Sequence, residues 1–226
     1  MRTLLIFLSL LIFPALPLHA AEGIPLYEQL RASIVTVQAL TPLPPTDGKT
    51  GTLQSTGAGV ILDANGTVAT NTHVVFGSEY IRVTLKTGET LNARVLFISP
   101  DDDLALLQVT PPRAMTPITW ADSNLASLGE DVVTIGHSDM IGPVISGGHI
   151  KAIGVHHSDP AQTPEFFELD INHYEGDSGN PVFDKQGRFL GMMNAKITGQ
   201  NRACLVIPAN KIHFAYLTLA NKSQTR

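Results

Sequence analysis

Gly176-Asp177-Ser178-Gly179-Asn180-Pro181 places a serine between two glycines and runs into the apolar Pro181-Val182-Phe183. A serine hydroxyl is a weak nucleophile at neutral pH. It becomes useful when a base takes its proton and backbone N–H groups wait for the oxyanion. A glycine two residues before the serine lets the backbone turn, so that its own N–H and that of Ser178 can point at one spot. A β-carbon there would crowd a substrate carbonyl. The hexapeptide alone is only moderately specific, since Gly-Asp-Ser-Gly also occurs in plain turns, so its meaning depends on the rest of the chain.

Two other stretches supply partners. Upstream, Ala69-Thr70-Asn71-Thr72-His73-Val74-Val75 sets a histidine at the end of an apolar run. Between the two, Asp101-Asp102-Asp103-Leu104-Ala105-Leu106-Leu107 sets an acid at the mouth of another. The order is His, Asp, Ser. Here the sequence resembles the trypsin-like serine peptidases of the chymotrypsin fold, and within them the bacterial HtrA/Deg branch. Four stretches carry the resemblance: Thr-Gly-Ala-Gly-Val-Ile-Leu at 56–62, Thr-Asn-Thr-His-Val-Val at 70–75, Asp-Leu-Ala-Leu-Leu at 103–107 and the serine hexapeptide. It covers about residues 30 to 215.

The resemblance implies an all-β fold of two six-stranded β-barrels with a C-terminal helix, roughly 30–112 and 113–215, and a site between them. It implies Ser178 as nucleophile, His73 as base and Asp103 as the group that orients the imidazole. Asp101 and Asp102 rival Asp103 on composition alone, since a run of three acids is ordinarily a solvated turn. Asp103 is preferred because it immediately precedes Leu-Ala-Leu-Leu, where the family's aspartate stands. The N–H groups of Gly176 and Ser178 are the implied oxyanion hole. Asn172 corresponds to the base of the S1 pocket. Being uncharged, it argues against a strong Arg or Lys preference and for a small or medium apolar residue. Asn194-Ala195-Lys196 is the expected pocket wall and strand edge for an extended polypeptide substrate. Lys196 facing solvent is the simpler alternative.

The sequence also departs from the HtrA pattern. Asp177-Ser178-Gly179-Asn180 stands where that branch commonly has Asn-Ser-Gly-Gly. In digestive relatives the aspartate before the serine pairs with a new N-terminus. No matching activation site follows the N-terminal segment, so that role does not transfer to Asp177. The chain ends shortly after its expected terminal helix, leaving no room for a PDZ domain, and PDZ-gated regulation is not carried over. Trimer formation is not carried over either, and the oligomeric state stays open.

Met1–Ala20 reads as a secretory signal: Arg2, then apolar Leu4–Phe13, then Pro14, Pro17 and a cleavage site after Ala20. An uncleaved anchor is the alternative, although the apolar run falls short of the ~20 residues of a membrane span. The expectation is one domain over 21–226, exported to the periplasm or secreted, with no stable membrane insertion after cleavage. The chain carries 15 Lys+Arg against 20 Asp+Glu. Removing the segment 1–20, with one arginine and no acid, makes the balance more negative still. That argues against a nucleic-acid partner. Cys204 is the single cysteine, so no intramolecular disulfide forms, and its apolar surroundings suit a core residue. His137, His149, His156, His157 and His173 show no metal-ligand spacing, and neither metal nor cofactor is expected.

Short alternating segments joined by turns argue an all-β domain. Ile24–Arg31 is expected as a helix and Ser33–Ala39 as a strand. Thr41–Thr56, rich in Thr, Pro and Gly, is expected as a mobile loop, either a plain connector or a regulatory loop. Strands are expected at 60–62, 67–70, 80–85, 91–98, 104–109, 116–120, 131–135, 144–155, 166–171, 189–197 and 203–207. Pro208–Leu219 is expected to form the C-terminal helix. Two other function classes stay in view. One is a non-catalytic or latent binding or chaperone-like module on the same fold. The other is an esterase using Ser178, Asp184 and His213, for which the Gly-x-Ser-x-Gly elbow is broken by Asn180.

Overall fold

The structure is a computed structural model and describes residues 27–46, 49–138, 142–156, 165–174, 176–197 and 202–224. The segment 1–20 lies outside the described residues. Twelve strands close into two antiparallel six-stranded barrels. The first contains β1 (Ile34–Thr46), β2 (Lys49–Ile61), β3 (Thr67–Asn71), β4 (Tyr80–Thr84), β5 (Thr90–Ser99) and β6 (Leu104–Val109), in the order β1-β2-β3-β6-β5-β4. The second contains β7 (Asp131–Ser138), β8 (Gly142–Val155), β9 (Phe166–Leu169), β10 (Pro181–Phe183), β11 (Phe189–Lys196) and β12 (Cys204–Pro208), in the order β10-β11-β12-β9-β8-β7. A helix, Ala209–Gln224, follows β12. The expected two-barrel fold is present.

Burial explains why some strands alternate in sequence and others do not. On β4, Ile81 and Val83 are buried between exposed neighbours, the signature of a strand wet on one face. On β6, Leu104-Ala105-Leu106-Leu107 is buried throughout. Ala105, Leu107 and Val109 point into the first barrel, packing with Val37, Val68 and Val83. Leu104 and Leu106 point the other way and pack with Phe183, Phe189, Met192 and Ile207 of the second barrel. On β12, Cys204 and Val206 enter the second barrel, while Leu205 and Ile207 join the layer between the barrels. The molecule therefore has three apolar layers, one inside each barrel and one between them. β3, β6, β11 and β12 each contribute to both a barrel interior and the intervening layer, so the ends of these strands are positioned by packing on two sides.

Two expectations are corrected. Of the expected loop Thr41–Thr56, the described residues 41–46 and 49–56 are strand: β1 and β2 pair continuously from Ile34↔Val60 to Leu43↔Gly51. The pairing of β1 with β4 stops at Leu40↔Tyr80, so beyond it β1 is hydrogen-bonded on one side only. Pro42, which has no N–H to donate, is tolerated in such an edge position. Thr116–Trp120 is not a strand. It crosses between the barrels with a single bridge, Trp120↔Phe189, and Pro117 breaks its donor series. The expected N-terminal helix is described from Tyr27 and tightens into a 3-10 turn at Arg31–Ser33.

The β2–β3 turn is fastened to the terminal helix. One Asp63 carboxylate oxygen accepts from the N–H groups of Asn65 and Thr67, at 2.8 and 3.1 Å. The other accepts from Tyr216 Oη at 3.1 Å. Burial raises the Asp63 pKa, but the hydrogen bonds from Thr67, Asn65 and Tyr216 outweigh it and hold the carboxyl below its ordinary range. A depressed folded pKa stabilises at neutral pH, and that stabilisation is lost as the pH falls from about 4 through the folded value. Asp63→Ala is expected to cost about 1–2 kcal/mol at pH 7, measured by urea unfolding. The difference from wild type should shrink as the starting pH is lowered from about 4 through the folded value.

Candidate active site

The histidine sits on a turn that β3 cannot continue as strand. Thr72–Val75 forms one helical turn, with Val74 and Val75 buried, so His73 follows the strand's end on a short helix. Asn71 caps this turn by position. Its side chain makes no capping bond, and its amide donates to the Asp103 carbonyl at 3.2 Å. The same carbonyl accepts from Thr72 N at 3.0 Å. Asp103 thus has its backbone held by the two residues preceding the histidine.

The Asp103 carboxylate faces His73 with both oxygens. Oδ1 accepts from the His73 N–H at 2.9 Å, and Oδ2 lies 2.6 Å from His73 Nδ1. A carboxylate can only accept, so Nδ1 carries the ring proton and Nε2 is left as an acceptor. Nε2 lies 2.9 Å from Ser178 Oγ. Asp103 has φ +50, the left-handed region that aspartate tolerates better than most residues. Of its rivals, Asp101 is exposed. Asp102 bonds Ser99 Oγ at 2.7 Å and pairs with Lys211 at 3.2 Å, away from the imidazole.

Ser178 comes from the second barrel, in the segment between β9 and β10, but both barrels grip its backbone. Ala58 N–H of β2 donates to the Ser178 carbonyl at 2.7 Å, and Gly179 N–H donates to Met193 O of β11 at 3.0 Å. Thr70 Oγ1 of β3 fixes the Ala58 carbonyl at 2.7 Å. Within the serine loop, Asp177 accepts from Tyr174 N–H at 2.7 Å and from Asn180 Nδ2 at 3.0 Å. These two bonds tie Asp177 to residues on either side of it in the serine loop. Gly176 has φ +92, while the space around its missing β-carbon is open. Among protein atoms its glycine requirement is therefore conformational rather than one of crowding.

The proposed substrate residues fall in three environments. Asn194 is the extra residue in a register shift between Met193↔Val206 and Ala195↔Leu205. Such an irregularity re-aims a strand locally, and the Asn194 carbonyl here lies 3.4 Å from Ser178 Oγ. Ala195 is half-buried. Lys196 pairs with Cys204 in the sheet, and its side chain lies outside the described residues. Asn172 is exposed and donates to Tyr174 Oη at 3.0 Å.

The other candidates lie elsewhere. Asp184 is buried in the β10–β11 turn, 2.7 Å from Arg188 Nε. His213 stacks on Trp120 with ring centroids 4.5 Å apart. Neither approaches the serine, so the esterase order is not realised. Cys204 is fully buried, and burial, then the charge of Asp177, pushes its thiol up to about 12. It is a core residue. His149 is exposed between Asp131, 3.0 Å away, and Asp170, 3.2 Å away. His157 lies outside the described residues. Sequence reading missed Asn71, Asp102 and Asn180 as supporting groups. Asn180 and Asn71 lie inside the quoted motifs, but nothing local signals their bonding partners.

This geometry is accompanied by similarity to known proteins. The trypsin-like peptidase domain family matches over residues 57–192. The periplasmic serine endoprotease DegP of Escherichia coli K12 is 31% identical over 160 residues, 69% of this chain and 34% of that protein. A probable periplasmic serine protease do/HhoA-like of Haemophilus influenzae is 31% identical with the same coverage. The chain thus spans about a third of the length of the relatives it matches. A solved structure of an HtrA-type protease, an AlgW variant with a decapeptide, shares the fold. Its TM-score is 0.75 at 20% identity, covering 85% of this chain and 67% of that one. With two closed barrels and a family match across both, the chain belongs to the trypsin-like serine peptidases.

Proposed function

We propose that this chain is an exported serine endopeptidase working through His73, Asp103 and Ser178. The observation that carries the reading is the relay Asp103 Oδ2–His73 Nδ1–His73 Nε2–Ser178 Oγ, with separations of 2.6 and 2.9 Å. Ser178 Oγ attacks the scissile carbonyl and His73 Nε2 takes its proton. Asp103 keeps the ring in the tautomer with Nδ1–H and stabilises the imidazolium. The N–H groups of Gly176 and Ser178 bind the oxyanion. His73 then protonates the leaving amine, and water, activated by the same Nε2, hydrolyses the acyl-enzyme. The substrate lies extended along Asn194–Lys196, with its P1 side chain towards Asn172.

Export rests on Met1–Ala20 as a cleaved signal, with 21–226 as the mature domain, and accords with the periplasmic relatives. The reading includes a role in envelope protein quality control or processing. Among the described residues no helix is long and apolar enough to cross a membrane. The test is digestion of unfolded casein in H2 18O with peptide mass spectrometry. New C-termini carrying 18O after small or medium apolar residues are expected, and none with Ser178→Ala. Intact casein after prolonged incubation with folded protein would count against the peptidase reading, and cleavage after Lys or Arg against the Asn172 assignment.

A further inference from the structure

Asp103 adopts left-handed backbone at φ +50. A conformation of that kind persists at a functional site when its surroundings over-determine it. Some of that restraint comes from the first barrel. Asp103 N–H donates to Pro100 O at 3.1 Å, and Thr72 Oγ1 donates to Ser99 O at 3.2 Å. The neighbouring Asp102 is tied at both oxygens. Oδ2 accepts from Ser99 Oγ at 2.7 Å, which closes the turn on itself. Oδ1 faces Lys211 Nζ at 3.2 Å.

Lys211 belongs to the C-terminal helix, which follows the second barrel. It is held in place: its ammonium lies 6.0 Å from the centroid of the Phe166 ring, and Phe166 is buried at the start of β9. Lys211 and Asp102 are each 28% exposed, so the pair is partly shielded from solvent. It links the terminal helix to the residue immediately before the aspartate that orients His73.

We infer that Lys211 and Asp102 are positioning residues for His73, and that the terminal helix sets the alignment of the relay through this pair. The inference rests on the reading of His73, Asp103 and Ser178 as the reacting set. Exposed or half-exposed ion pairs add little to global stability. The effect of breaking this one should therefore appear in the relay rather than in the fold.

Lys211→Met keeps the alkyl stem over Phe166 and removes the charge. It is expected to lower kcat about ten-fold through misalignment, with KM and the melting temperature nearly unchanged, and Lys211→Arg should restore the rate. The decisive readout does not depend on turnover: titration of the His73 ring by NMR in wild type and Lys211→Met. Removing a cation raises an imidazole pKa through the field alone, whereas a loosened carboxylate partner lowers it. The inference predicts a lower His73 pKa in Lys211→Met, with recovery in Lys211→Arg. An unchanged or raised value in a folded variant overturns it. If wild type shows no peptidase activity while the His73 titration still shifts downward, the peptidase reading fails and the positioning role stands.

Discussion

Ser178→Ala is expected to lower kcat on a peptide substrate by about 10⁶, leaving only what binding and the oxyanion hole provide. The variant should fold as wild type does. The contacts that hold this residue use its backbone: the Ser178 carbonyl accepts from Ala58 N–H, and the next N–H reaches Met193 O. Among the described residues the hydroxyl is bonded to His73 Nε2 and, more distantly, to the Asn194 carbonyl. Removing one oxygen leaves no buried group stranded by the packing. Steady-state kinetics beside a urea melt checks both halves. A variant that retains a tenth of the wild-type rate would show that another nucleophile is at work.

Gly179→Ala is expected to fail in the fold as well as in the chemistry. An added β-carbon would stand 2.0 Å from Ala58 O and 2.7 Å from Ala58 C. Both are backbone atoms, so no rotamer change relieves the contact. Ala58 cannot retreat cheaply, because its carbonyl is bonded to Thr70 Oγ1 and its N–H to Ser178 O. Gly179 also has φ +87, which alanine adopts at a cost of about 1–2 kcal/mol before any clash. With overpacking added, about 2–5 kcal/mol of stability should be lost. Whatever fraction folds should carry a displaced Ser178 and little activity. Urea unfolding of Gly179→Ala gives the first number, and a loss under 1 kcal/mol would mean that β2 and the serine loop are not in this contact.

The parts of the fold that sequence reading recovered are those where burial repeats along the chain. β6 was legible over its full length because each of its residues from Leu104 to Leu107 is buried in one apolar layer or another. The β1–β2 hairpin was not legible as strand, because its distal part needs hydrogen bonds on one side only. Edge pairing of that kind leaves Pro and Gly acceptable. Thr116–Trp120 misled in the opposite direction. Ile118 and Trp120 face the packed layer between the barrels, which imitates strand alternation without a ladder.

The candidate triad was legible because each member sits in a local motif of its own. The supporting shell was not. Asp102 looks like a solvated neighbour of Asp103 until the terminal helix brings Lys211 to it. Asp177 reads as one more acid in a turn, and only the folded loop shows that it accepts from Tyr174 N–H and Asn180 Nδ2. Such contacts depend on tertiary placement of groups whose residue types are ordinary on any surface.

An activated Ser178 reacts with a fluorophosphonate probe, and intact mass of the purified protein after treatment reads the adduct. One adduct per chain is predicted for wild type and none for Ser178→Ala. An adduct that survives Ser178→Ala, or a folded wild type that takes none, would contradict the account.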